Sequence, residues 1–150
     1  MNRDFRDMLS ALCEAQADHL LVGAYALAVH GVPRATGDLD VWVRPTPGNA
    51  DRVWTALAAF GAPLDALTRA ELATPGMVFQ IGVVPRRIDV LTAISGLGFD
   101  EAWETRVTVE IDGLMVPVLS REALIRNKQA TGRPKDLADL AMMDEAGAGE

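Results

Sequence analysis

Apolar residues recur along this chain with two periods, one near 3.6 residues and one of 2. The switches between them lay out its elements. Residues 3–17 carry Phe5, Met8, Leu9 and Leu12 on one stripe, the spacing of an amphipathic helix. His19 to Val22 reads as a short apolar strand closed by Gly23, and Ala24 to His30 as a helix. Gly31, Pro33 and Gly37 punctuate a loop. Asp38 to Val43 alternates in chemistry as a strand does. Residues 48–60 then form a helix with Val53, Leu57 and Phe60 inward, ended by Gly61. A short helix at 68–73 precedes two strands, Met77 to Val84 and Arg86 to Leu91, separated by Pro85. Phe99 to Thr105 is a helical turn. Val107 to Ile111 and Leu114 to Val118 flank Asp112-Gly113, a two-residue hairpin signal. Ser120 caps a helix to about Ala130; Gly132 stops it, and Pro134 sits near the first position of the last helix. The tail from about 145 to 150 reads as frayed.

Strands and helices are interspersed, with a hairpin among them. The expected fold class is α/β (α+β): a small mixed sheet flanked by helices, in one domain. A length of 150 residues suits a single core, and 49 % hydrophobic content excludes a disordered chain. The first residues carry charges where a secretion signal needs an apolar run, and no apolar stretch reaches membrane-spanning length. A cytoplasmic location is the expectation. One cysteine, Cys13, excludes an internal disulfide and reads as a small buried hydrophobe. The formal charge of −7 argues against a broad nucleic-acid-tracking surface and suits a chain that binds cations.

The candidate chemistry lies in Gly37-Asp38-Leu39-Asp40-Val41-Trp42-Val43. Alternation puts Leu39, Val41 and Val43 on one strand face and Asp38 and Asp40 on the other, roughly 7 Å apart. Two like charges so placed repel, and a divalent cation removes the penalty. Mg²⁺ prefers oxygen ligands and is commonly held by one or two carboxylates plus phosphates; Mn²⁺ is a substitute. The alternative is a pair of solvated acids, each near an arginine. Asp89, within Arg87-Ile88-Asp89-Val90-Leu91, is an acid among β-branched neighbours and needs a partner. That partner is either Arg86 or Arg87 in a buried ion pair, or a metal shared with Asp38 and Asp40.

Upstream, Leu21-Val22-Gly23-Ala24 is strand, glycine, helix. Such a turn lets a phosphate approach the backbone at a helix N-terminus. It is neither a dinucleotide fingerprint nor a Walker loop. Arg34 and Thr36 follow, either in reach of a phosphate or in loop hydrogen bonds. Lys128 lies four residues after Leu124 at the edge of an apolar stripe, either neutralising a phosphate or snorkelling to the surface. Asp136 is favoured in a first helical turn whatever its function. His30 and His19 read as structural, and two His with one Cys support no zinc site. Trp42 shares the carboxylate face and is either core or the floor of a nucleotide pocket.

The run LVGAYALAVHGVPRATGDLDVWV, with Asp89 beyond it, resembles the DNA polymerase β-like nucleotidyltransferase superfamily. More narrowly, Lys128 to Asp139 is similar to the Lys…Arg-x-Lys-Asp-x-x-Asp element of small bacterial AbiEii-related proteins. The resemblance implies two metal ions: Asp38 and Asp40 ligate both, and Asp89 completes the second site and helps activate the attacking hydroxyl. Gly23 and Ala24 face the triphosphate, Lys128 meets phosphates, and Asp136 contacts the nucleotide or organises polar groups. The implied reaction moves a nucleoside monophosphate from an NTP to a hydroxyl of an RNA or protein acceptor, in a toxin–antitoxin setting. The turn here is Gly23-Ala24 where the family has Gly-Gly or Gly-Ser, so Ala24 brings no hydroxyl to a phosphate. A nucleotide- or partner-binding module without turnover is therefore a second expectation, and a small-molecule transferase a third.

Overall fold

The computed structural model describes residues 1–32, 37–83 and 85–148, the last three as helix backbone. Its elements are α1 (Arg3–Glu14), β1 (His19–Val22), α2 (Gly23–Val29), β2 (Leu39–Val43), α3 (Pro47–Phe60), α4 (Arg69–Leu72) and β3 (Val78–Ile81). They continue with β4 (Ile88–Leu91), α5 (Phe99–Glu104), β5 (Val107–Ile111), β6 (Leu114–Val118), α6 (Arg121–Thr131) and α7 (Pro134–Ala148).

The strands form one six-stranded sheet in the order β3-β4-β2-β1-β6-β5. β1 runs antiparallel to β2 and parallel to β6, and β2 runs parallel to β4. The antiparallel pairs β3·β4 and β5·β6 form the two edges. The sheet is therefore mixed, as the interleaved periods require.

Local signals account for most of the boundaries. Asn2 caps α1 by accepting from Phe5 N at 2.9 Å, and Phe5, Met8, Leu9 and Leu12 are its buried stripe. The helix stops at Glu14, short of 17, because Gln16 takes a left-handed φ of 56°. Ser120 accepts from Ala123 N at 3.1 Å to start α6, and Thr46 and Thr68 do the same for α3 and α4. Asp112 and Gly113 both have positive φ, 50° and 84°, the conformation a two-residue hairpin turn demands. The two strands around Pro85 are shorter than their apolar runs, β3 ending at Ile81 and β4 beginning at Ile88. The last helix extends to Ala148, and residues 149–150 of the tail expected to fray from about 145 lie outside the described residues.

The core lies between sheet and helices. Leu20, Leu21, Leu39, Val41 and Val43 from the central strands are buried with Met8, Leu9, Leu12, Val53 and Leu57 from α1 and α3. Cys13 is half-buried at its edge rather than inside it. His19 is buried, with Nδ1 2.8 Å from Ala17 O, and His30 is the α2 cap residue, its Nε2 2.8 Å from Leu119 O. Both are structural, as expected. Among the described residues no helix is long and apolar enough to cross a membrane.

Candidate active site

The parallel pairing of β2 with β4 creates the site. Asp40 and Asp89 are register partners, and Leu39 N donates to Arg87 O at 3.0 Å, locking the start of both strands together. Alternation then turns Leu39, Val41 and Val43 into the core and Asp40 to the other face, beside Asp89. Asp38, just ahead of β2, joins them. On the other side of β2, Val22 pairs with Asp40, which brings Gly23 against the Asp40 carboxylate.

That approach is possible only without a side chain. A Cβ on Gly23 would collide with Asp40 Oδ2 and stand 3.0 Å from its Cγ, and Gly23 has φ +67°. The strand–glycine–helix turn thus serves the carboxylates as directly as it would serve a phosphate.

Three acids in contact perturb one another. Burial, then the charges of Asp89 and Asp38, push Asp40 up to about 6, with Arg87 opposing. Burial also raises Asp89, against the pull of Arg87, and Asp40 donates a hydrogen bond to it. Arg87 is the countercharge. Its Nη2 donates to Asp38 Oδ2 at 2.7 Å and to Asp89 Oδ2 at 3.4 Å, and its Nε lies 3.1 Å from Asp89 Oδ1. That last contact is a charge contact without hydrogen-bond alignment. Of the two partners posed for Asp89, the ion pair is formed, with Arg87. Asp38 Oδ1 is buried with no hydrogen-bond partner. Among the described residues no group of three or more His, Cys, Asp or Glu is arranged to hold a metal ion.

In front of Asp38 and Asp40 opens a cavity of about 540 Å³. Gly23, Ala24, Asp38 and Asp40 form one wall; Lys128 of α6, Arg133 of the α6–α7 turn and Lys135 of α7 form the other. Lys128 is 8 % exposed, so it does not snorkel; its Nζ lies 3.3 Å from Asp136 Oδ1 and 3.0 Å from Asp139 Oδ2. Burial lowers the Lys128 pKa, and the two carboxylates hold the ammonium in place.

Asp136 is fully buried and does not line the cavity. It accepts from Arg133 Nε at 2.8 Å and from Arg133 N at 3.1 Å, and these bonds hold its carboxyl well below the usual range. Of the two roles expected for Asp136, nucleotide contact or polar organiser, this burial and these bonds fit the organiser of Lys128 and Arg133. Asp89, too, stands behind Asp40 rather than on the cavity wall. Trp42, expected as either core or pocket floor, is core: it is 1 % exposed and packs edge-on against Phe99 at 5.1 Å. Arg34 and Thr36 lie outside the described residues.

The remaining lining was not singled out from sequence. Asn127 and Thr131 share a face of α6 with Lys128, a grouping legible from i,i+3 and i,i+4 spacing once Lys128 is placed. Leu91 follows Asp89 by two positions on the same strand face, and Ala93, Ile94 and Ser95 continue from it. Asn127 Nδ2 donates to Ser95 O at 2.9 Å, tying that loop to α6. These loop positions carry no chemical signal of their own.

No family model matches the sequence, and no curated protein matches it. Among solved structures, the chain is similar to a Thermotoga maritima protein provisionally assigned as a nucleotidyltransferase, with a TM-score of 0.59 and 15 % identity. The likeness covers 99 % of this chain and 92 % of that one. At that identity it speaks to architecture alone, and the architecture is a single α+β domain of nucleotidyltransferase fold.

Proposed function

We propose that the chain is a metal-dependent nucleotidyltransferase that moves a nucleoside monophosphate from an NTP to a hydroxyl of an RNA or protein acceptor, in a toxin–antitoxin setting. One observation carries the reading. A single cavity has Asp38 and Asp40 on one wall and Lys128, Arg133 and Lys135 on the other. With a divalent cation on the carboxylates, this is an arrangement for a phosphate chain neutralised from both sides.

The donor set suits Mg²⁺ or Mn²⁺: hard carboxylate oxygens, one of them, Asp38 Oδ1, buried without a partner. Asp38 and Asp40 would hold the cation, with Asp89 completing the set. When bound, the metal supplies charge stabilisation at the attacking and leaving oxygens. The acceptor oxygen forms a bond to the α-phosphorus as the bond to the bridging oxygen of the β-phosphate breaks, and pyrophosphate departs. Lys128, fixed by Asp136 and Asp139, meets phosphate oxygens without having to be ordered first. Gly23 and Ala24 offer the N-terminal turn of α2 to the triphosphate. Asp89, its pKa raised, would take the proton of the acceptor hydroxyl only after Arg87 releases it toward the cavity it does not line here.

The test is transfer of label from each of the four NTPs, with Mg²⁺ or Mn²⁺, scored together with pyrophosphate release. Asp38→Ala with Asp40→Ala should abolish both. Label transfer that persists in that double variant refutes the reading.

One observation favours a binding module without turnover. Arg87 engages both Asp38 and Asp89, and among the described residues no group of three or more ligands is arranged for a metal. Mg²⁺-dependent NTP binding in a calorimeter, with no pyrophosphate formed, would select this second reading.

A further inference from the structure

Arg87 Nη2 donates to Asp38 Oδ2 at 2.7 Å and, at 3.4 Å, to Asp89 Oδ2, and its Nε stands in charge contact with Asp89 Oδ1. Its guanidinium thus lies between the two carboxylates, where a cation shared by Asp38 and Asp89 would have to sit. That leaves few carboxylate oxygens clear of the guanidinium. Both Asp89 oxygens face Arg87, and so does Asp38 Oδ2. Asp38 Oδ1 and Asp89 Oδ1 are both buried without a hydrogen bond, but only Asp38 and Asp40 line the cavity, and Asp89 Oδ1 has the Arg87 charge against it.

We propose that Arg87 is a built-in countercharge that excludes a cation from the Asp38–Asp89 position, so that without nucleotide the site takes one divalent cation, at Asp38 and Asp40. The inference rests on the metal-binding reading of the carboxylates and goes beyond it in stoichiometry and in the residue that sets it. The physical reason is competition. The guanidinium donates to Asp38 and to Asp89 and carries its own positive charge between them, so a second dication at that position must displace it. Asp89 stays 12 % exposed in its side chain, and Arg87 shields it from water as well as from metal.

The experiment counts Mn²⁺ bound per chain, by the loss of the free-ion paramagnetic resonance signal and by calorimetry, without nucleotide. The native chain, Arg87→Gln and Arg87→Lys are compared. The native chain is expected to bind one Mn²⁺. Arg87→Gln should bind two, the second at least about tenfold tighter than any second cation on the native chain, the equivalent of one competing charge-assisted bond. Arg87→Lys keeps the charge and loses the reach to both carboxylates, and should fall between them. Thermal unfolding supplies a readout that survives weak folding: Mn²⁺ should raise the melting temperature of Arg87→Gln by more than that of the native chain. Two cations on the native chain, or the same stoichiometry and affinity in all three proteins, overturns the inference and leaves the metal reading standing. Absence of Mn²⁺ binding in all three overturns both.

Discussion

Replacing Asp40 with Asn removes a carboxyl whose ionisation the fold resists. Its pKa stands at about 6 in the folded chain against 3.8 for a free side chain. The sign follows from proton binding. The folded state holds a proton that the unfolded state has released, so stability from Asp40 is full below about 3.8 and is lost as pH rises through about 6. Taken whole, the difference is worth ~3 kcal/mol at neutral pH. Asp40 is partly open to the cavity, and solvent screening brings that to about 1–2 kcal/mol. Asn keeps the shape, cannot ionise, and can still donate to Asp89. Asp40→Asn should therefore be more stable than the native chain by about 1–2 kcal/mol at pH 7.5 and no more stable at pH 4. The assay is urea unfolding in chelator, every half unit from pH 4 to 8, on both proteins. His19 titrates in the same window with opposite sign: its buried imidazole has a lowered pKa, so stability is lost as pH falls below the unfolded value. His19 is present in both proteins, and the difference between them cancels it. A variant-minus-native difference that stays flat from pH 4 to 8 refutes the reasoning.

Other substitutions probe the remaining parts. Gly23→Ala should cost about 2 kcal/mol or more in urea unfolding, through a positive φ and a collision with the Asp40 carboxylate, and should lower Mg²⁺ affinity as Asp40 moves. Lys128→Ala leaves Asp136 and Asp139 buried without their shared cation and should cost about 3 kcal/mol, read as a lower urea midpoint. Lys135→Ala, exposed on the cavity wall, should change stability by less than about 0.5 kcal/mol, yet weaken NTP binding in a calorimeter. Ser120→Ala should cost about 1 kcal/mol by loss of the α6 cap, with NTP binding unchanged.

The sequence made the elements legible because their signals are local. Caps at Ser120 and Thr68, the Asp112-Gly113 turn and the stripe on α1 depend on residues a few positions apart, and each stands where the pattern puts it. The end of α1 was not legible, since nothing in Gln16 announces a left-handed backbone. The convergence of Asp38, Asp40 and Asp89 was legible in part. Alternation predicts the face of each strand, but the parallel register that sets Asp40 beside Asp89 depends on strand order, which a period of 2 does not encode. Trp42 shows the limit of the same rule: it has the parity of the carboxylate face, yet Phe99 of α5 covers it. Asp136 shows another. A first-turn acid is favoured by the helix dipole anywhere, and only the packing of α7 on α6 makes this one the anchor of Lys128 and Arg133.

The charges around the cavity constrain any ligand, whether or not the chain turns it over. On the carboxylate side, Asp38, Asp40 and Asp89 share Arg87 as countercharge, which leaves that wall negative at pH 8, where Asp40 is ionised. On the other side, the ammonium of Lys128 is offset by Asp136 and Asp139, and Asp136 also binds Arg133. Lys135 adds positive charge at the rim. A triphosphate entering alone would thus meet like charge on one wall and a largely compensated ion cluster on the other, at distances where screening by salt is weak. A divalent cation reverses the sign of the first wall and gives the phosphates their missing partner. Nucleotide and metal should accordingly bind as a unit, with NTP affinity at pH 8 falling at least about tenfold when Mg²⁺ is chelated. This expectation holds for the transferase and for the binding module alike. NTP binding of equal strength in chelator and in Mg²⁺ would mean that the carboxylates do not face the phosphates, and both readings would fall with that placement.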